Sequence, residues 1–145
     1  MPLSDFIPEE GQHRIAQAIT QAERRTSGEI CVHVTPHCPG EVMAAAEATF
    51  NRLQLYRTQR RNAVLIYVAY TDRRLAILGD QGIHEAVPQG YWNDVVATLA
   101  KRLHARRPVD GLCEAIDTIG KRLHEFFPAD RHNINELSNE VTYED

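Results

Sequence analysis

Ala63-Val64-Leu65-Ile66-Tyr67-Val68-Ala69-Tyr70 is an apolar run unbroken by charge. Such a run predicts a strand buried on both faces. Thr71-Asp72-Arg73 supplies a polar turn, and the chain from Arg74 to Gly79 predicts a second strand, paired antiparallel with the first and ending beside Asp80-Gln81-Gly82. Upstream, Glu29-Ile30-Cys31-Val32-His33-Val34-Thr35 alternates and is rich in β-branched residues, which predicts the first strand of the chain, broken by Pro36 and Pro39-Gly40. Between these strands Val42, Ala46, Thr49, Phe50 and Leu53 recur at spacings of three and four, as on the apolar face of a helix. Strand, helix and strand form a crossover unit, so the first two strands should run parallel and the hairpin should add the third antiparallel.

The flanking segments read as helices. Pro8 suits a first helical turn, and Ile15, Ala18, Ile19 and Ala22 repeat on one face before Thr26-Ser27-Gly28 ends the helix. After a short piece at Ile83 to Val87, Trp92, Val95, Val96, Leu99 and Leu103 mark a second apolar stripe, stopped by Arg106-Arg107-Pro108. Asp110 is placed to cap a last helix carrying Leu112, Ile116, Ile119, Leu123 and Phe126. Residues 1–7 read as an arm, and residues 129–145 as a polar tail anchored only by Ile134, Leu137, Val141 and Tyr143. The pattern contains no repeat or linker that would divide residues 1–145 into two domains. The fold class is α/β with a small mixed sheet.

The topology gathers residues that are distant in sequence. The start of the first strand at Glu29, the entry to the second at Thr58, Arg60, Arg61 and Asn62, and the exit of the third at Gly79 to Gly82 should share one end of the sheet.

Composition narrows the partners. The 145 residues are 43% hydrophobic and 25% charged, and 16 basic against 20 acidic side chains leave a net charge of -4. Nucleic acid is thereby disfavoured, since phosphate binding needs a dense positive face. With neither a leader pattern nor an apolar run of bilayer length, the expected location is the cytoplasm, with no membrane span. Cys31, Cys38 and Cys113 are odd in number and lack CxxC spacing, as expected of reduced thiols.

Three clusters carry candidate chemistry. His33, His37 and Cys38 offer imidazole and thiolate ligands, but their spacing crosses a strand end and Pro36, where a strand histidine and a loop histidine are the plainer reading. Glu29, Asp80 and Glu85, with Glu136 and Glu140 of the tail, offer hard oxygen ligands. Asp80 between Gly79 and Gly82 could serve a divalent cation, or simply cap the turn that follows. Arg57, Arg60 and Arg61 could hold a phosphate or neutralise those acids. Walker, GxGxxG, GxSxG and HExxH motifs are all missing, which removes the standard nucleotide, esterase and metalloprotease readings and any organic cofactor they imply.

Ser27-Gly28-Glu29-Ile30, Thr58 with Arg61-Asn62-Ala63-Val64-Leu65-Ile66-Tyr67, Ala76 to Ile83, Trp92, and Phe127-Pro128 with Asn135-Glu136-Leu137 together resemble the TPM domain family, in its short bacterial form, from about Glu9 to Tyr143. The resemblance implies a three-layer α/β/α sandwich, a divalent-cation site often discussed as calcium, and a weak acid phosphatase activity attributed to some plant members. Asp80 and Glu29 are the residues it carries to the cation. In the tail this sequence departs from the pattern: Ile134 stands two places before Glu136 and Ser138 follows Leu137, where the short form has an acid and a proline.

Two principal functions follow as expectations. One is a binding or accessory module with a divalent cation, Ca2+ or another, near Asp80. The other is metal-dependent hydrolysis of phosphomonoesters, with Asp80 and Glu29 holding the metal and Arg60 or Arg61 countering charge. The expected partners are correspondingly a protein or a small phosphorylated ligand, and a purely structural partner-binding role stands as a third reading.

Overall fold

The computed structural model describes residues 2–129 and 141–144. In chain order the elements are α1 (Leu3–Phe6), α2 (Glu9–Glu23), β1 (Glu29–Thr35), α3 (Val42–Arg52), a single 3-10 turn at Leu55–Arg57, β2 (Ala63–Ala69), β3 (Arg74–Gly79), α4 (Gln81–Ala86), α5 (Asn93–His104), α6 (Pro108–Phe126) and β4 (Thr142–Tyr143). The sheet order is β3-β2-β1-β4. β1 runs parallel to β2 with Glu29 opposite Ala63, and β3 runs antiparallel to β2 with Gly79 opposite Val64. The crossover and the hairpin are therefore arranged as the hydrophobic pattern predicts.

Strand alternation divides the core into two layers. Ile30, Val32 and Val34 of β1 and Val64, Ile66 and Val68 of β2 face α2, α5 and α6, whose Ile15, Ile19, Leu99, Leu112 and Ile116 are buried against them. Cys31, Leu65, Tyr67 and Ala69 face the other way, toward Ala45, Ala46 and Phe50 of α3. An unbroken apolar strand is required because both faces are covered, and each fully buried aliphatic side chain contributes about 1.5–3 kcal/mol. The result is an α/β/α sandwich. Gly120 lets α6 approach α2 closely, since a Cβ there would stand 2.7 Å from that of Ala22.

Four segments differ from the sequence reading, one of them the start of α6, which begins at Pro108 so that Asp110 lies in its first turn and does not cap it. The expected arm contains α1, and Ile7 behind it is fully buried while Phe6 stacks on Tyr70 with ring centroids 4.7 Å apart. The short piece after Gly82 is a helix, α4, beginning at Gln81 because Asp80 caps it. Thr142-Tyr143 supplies a fourth strand, parallel to β1 through His33 and Val34. Ile134, Asn135-Glu136-Leu137 and Glu140 lie outside the described residues. Among the described residues no helix is long and apolar enough to cross a membrane.

Candidate functional site

The site begins with the backbone between the 3-10 turn and β2. Thr58 accepts the Arg61 N–H on its carbonyl at 3.2 Å and the Asn62 N–H on its hydroxyl at 3.2 Å. This tight turn puts Arg61 in the left-handed region at φ 52°, an uncommon conformation for a side chain of this size. The Arg61 carbonyl accepts the Gly82 N–H at 2.8 Å. Only glycine permits that approach, because a Cβ at position 82 would lie 2.4 Å from the Arg60 carbonyl oxygen and 2.7 Å from that of Arg61.

Asp80 enters from the opposite direction. Its N–H continues the ladder to the Ala63 carbonyl at 2.9 Å, and its carboxylate accepts the Gln81 N–H at 2.8 Å as the cap of α4. Arg61 lies side-on against the same carboxylate, Nε to Oδ2 at 2.7 Å and Nη2 to Oδ1 at 2.9 Å. Asp80 is 7% exposed, whereas the Arg61 side chain is 45% exposed. The hydrogen bond and charge of Asp80 raise the Arg61 pKa above its ordinary value. Both readings weighed for Asp80 and Arg61, cap and ion pair, are present in the structure.

The pair forms one wall of a cleft of about 420 Å³, closed on the other side by Glu47, Phe50 and Asn51 of α3 and at its end by His84 and Glu85 of α4. Glu47, Phe50 and Asn51 present one helical face at spacings of three and four. That spacing, anchored on Phe50 of the apolar pattern, was the available sequence signal for Glu47 and Asn51, which the pattern reading missed. Glu85 was anticipated and does line the cleft with Asp80.

Glu29 shares the end and the face of the sheet with Asp80, but Ala63 lies between them, opposite Glu29 and bonded to Asp80. Two strand spacings separate the backbones by roughly 10 Å. Glu29 is buried against Glu23, whose carboxyl also accepts the Ile30 N–H at 2.8 Å. Burial raises the Glu23 pKa far above the carboxylate range, opposed by the Ile30 bond and reinforced by the charge and hydrogen bond of Glu29. The Glu23–Glu29 pair therefore holds a proton more firmly than two exposed carboxylates would. Glu23 had no signature in the sequence.

The remaining candidates diverge. Arg57 donates to the Gln54 side-chain oxygen at 2.9 Å and Arg60 to the Ser27 hydroxyl at 3.5 Å, so these contacts and that of Arg61 do not converge on a phosphate cradle. His33 is a buried strand histidine, its Nδ1 2.6 Å from the Thr142 hydroxyl and its Nε2 3.1 Å from Glu144. His37 is exposed and meets Asp72 at 3.0 Å, while Asp72 also accepts the Cys38 N–H. All three cysteines are free thiols, and burial, with the charges of Glu23 and Glu29, pushes Cys31 up to about 12. Cys31 is thus a core residue, not a nucleophile. Among the described residues no three His, Cys, Asp or Glu side chains form a ready ligand set for a metal ion.

Comparison with known proteins agrees with the fold. A family model described as the TPM domain matches residues 3–122. The NMR structure of BA42 protein from the psychrophilic bacteria Bizionia argentinensis is similar at a TM-score of 0.89 and 32% sequence identity, covering 96% of each chain. No curated protein matches.

Proposed function

The chain belongs to the TPM domain family, and from that membership we propose that it is a binding or accessory module whose ligand, a divalent cation, is taken at Asp80 in exchange for Arg61. The observation supporting this reading is the side-on Arg61–Asp80 pair itself, a charged group held against a 7% exposed carboxylate at the wall of a cleft. The cleft lining offers hard donors, carboxylates from Asp80, Glu47 and Glu85 and an amide oxygen from Asn51, which would have to draw together around a cation, since among the described residues no three carboxylate, imidazole or thiol side chains form a ligand set. In its present pairing Asp80 is occupied, because both of its oxygens accept from Arg61. Arg61 is the internal counter-ion that a metal must displace, and its exposed side chain has solvent to withdraw into. Asp80, with Glu47 and Glu85, would hold the cation. Glu29, the other sequence-based ligand, would have to leave the Glu23 pair to join them.

A bound cation would supply a concentrated positive charge able to organise a partner's carboxylate or phosphate. Hydrolysis of phosphomonoesters at this site also requires Asp80 to be released from Arg61, so one pair of variants tests both readings. Amide shifts at Gly79 to Gly82 are followed during titration with Ca2+, Mg2+ and Mn2+. The wild type is expected to bind weakly, Arg61→Gln more tightly, and Asp80→Ala not at all. Unperturbed amides at millimolar metal in both the wild type and Arg61→Gln remove the cation, and phosphomonoester turnover unchanged in Asp80→Ala removes a hydrolytic role for that residue.

A further inference from the structure

β3 is an edge strand, and it carries features that fit a second copy of itself. The Asp80 N–H bond to Ala63 fixes the alternation of the ladder: Arg74, Ala76 and Leu78 turn their peptide groups toward β2, and Leu75, Ile77 and Gly79 turn theirs outward. Among the described residues no other strand pairs with that outer side. The row is unpaired but not broadly exposed, since Ile77 is 6% exposed and Gly79 is buried, so a second strand would have to enter between the flanking layers; an unpaired row is a template for strand pairing unless its ends or side chains prevent it.

The ends of the row are complementary. Arg74, exposed, opens β3, while the cleft with Asp80, Glu47 and Glu85 closes it. Arg74 and Asp80 lie six residues apart, an even number, so both project to the α3 side of the sheet. We propose that the protein self-associates through β3, two copies pairing antiparallel about Ile77 so that Arg74 of each enters the acidic cleft of the other.

In this register Ile77 faces Ile77, and Leu75 faces Gly79 of the second copy. All of these are outward residues, so every ladder bond is made between groups that β2 leaves open. Arg74 then stands directly opposite Asp80 of the second copy, at a position without ladder bonds, where facing side chains come closest; because Arg61 already holds both Asp80 oxygens, the carboxylates left to Arg74 are those of Glu85 and Glu47 in the cleft lining. The arrangement is two-fold and closes on itself, so it yields a dimer and not a fibre. One edge carries Arg74 at the start of the strand and the acid-lined cleft at its end, which favours a second copy over an unrelated peptide. Arg74 now donates to the exposed Gly40 carbonyl at 2.8 Å and lies in the field of Asp72, surface interactions that the exchange replaces with charge-assisted bonds.

The test is sedimentation from about 10 µM to about 1 mM, a range in which mass action populates a weak dimer, with amide exchange followed in parallel and EDTA present to keep metal out of the cleft. The expected result is a dimer at high concentration, with the Leu75, Ile77 and Gly79 amides protected only there and Ala76 and Leu78 protected throughout. Leu75→Pro removes an outward N–H that β2 does not use, so the variant should fold and remain monomeric. Arg74→Glu alters both symmetry-related charge pairs and should weaken association about a hundredfold, about tenfold for each pair, and adding Glu85→Arg should restore it. A monomer at every concentration overturns the proposal, as does a dimer indifferent to both Leu75→Pro and Arg74→Glu. If Leu75→Pro does not fold, the charge reversal and its rescue decide the matter. Because the edge amides report pairing without metal, failure here is distinct from failure of the cation reading.

Discussion

Arg61 and Asp80 meet side-on, with two hydrogen bonds of 2.7 and 2.9 Å, although one residue enters β2 and the other leaves β3. Their backbones are tied as well, through Asp80 to Ala63 and Gly82 to Arg61. The pair therefore joins the entry of one strand to the helix that follows its neighbour, and a ligand that separates the side chains acts on both elements.

Asp80 has two roles that substitution can separate. Asp80→Asn keeps an oxygen to accept the Gln81 N–H but loses the charge facing Arg61, whereas Asp80→Ala loses both. Asp80→Ala should cost about 1–2 kcal/mol from the lost cap, and Asp80→Asn distinctly less. Urea unfolding of the three proteins measures the difference, and equal losses would show that the cap contributes nothing.

Gly82→Ala should be more damaging than its position in the first turn of a short helix suggests. The new Cβ meets backbone carbonyls at 2.4 and 2.7 Å, groups that cannot rotate away as a side chain would. The expected loss is about 2–3 kcal/mol, together with shifted Arg61 resonances in an NMR spectrum. A variant with wild-type stability and unshifted Arg61 would mean that the turn yields freely.

How much of this site was legible depends on whether its parts have a period. The run from Val64 to Ala69 announced a doubly covered strand by composition alone, and Asp80 before a polar turn announced a cap. Glu85 was recognised as an acid of the set, but the α3 wall was read only for its apolar stripe, so Glu47 and Asn51 were passed over. Glu23 could not be read at all: its partnership with Glu29 depends on how the chain reverses between α2 and β1. The two residues of β4 and the six of α4 are too few to show a period, and β4 exists only through long-range pairing with His33 and Val34.

The two buried titrating networks should give stability opposite slopes with pH. Burial lowers the His33 pKa despite the Glu144 partner, so just below its ordinary value of about 6.5 the unfolded state binds more protons and acid destabilises the fold. Glu144, held below the carboxylate range chiefly by its hydrogen bond to His33, adds to this loss at lower pH. His33→Asn should flatten the acid limb, as seen in chemical unfolding at pH 5 to 7. An unchanged slope would show that another group titrates there.

Glu23 supplies the other limb. Its folded pKa is raised, so the stability it contributes is complete below its unfolded value near about 4.3 and is lost as pH rises toward the folded value. The Glu23 carboxyl accepts from Ile30 and shares a hydrogen bond with Glu29, and Gln can reproduce both bonds without a titrating proton. Glu23→Gln should therefore raise stability at pH 8 by about 1–3 kcal/mol, leave pH 4 nearly unchanged, and flatten the curve between them. If Glu23→Gln instead loses stability equally at both values, the carboxyl is ionised in the folded protein, and the proton assigned to the Glu23–Glu29 pair is absent.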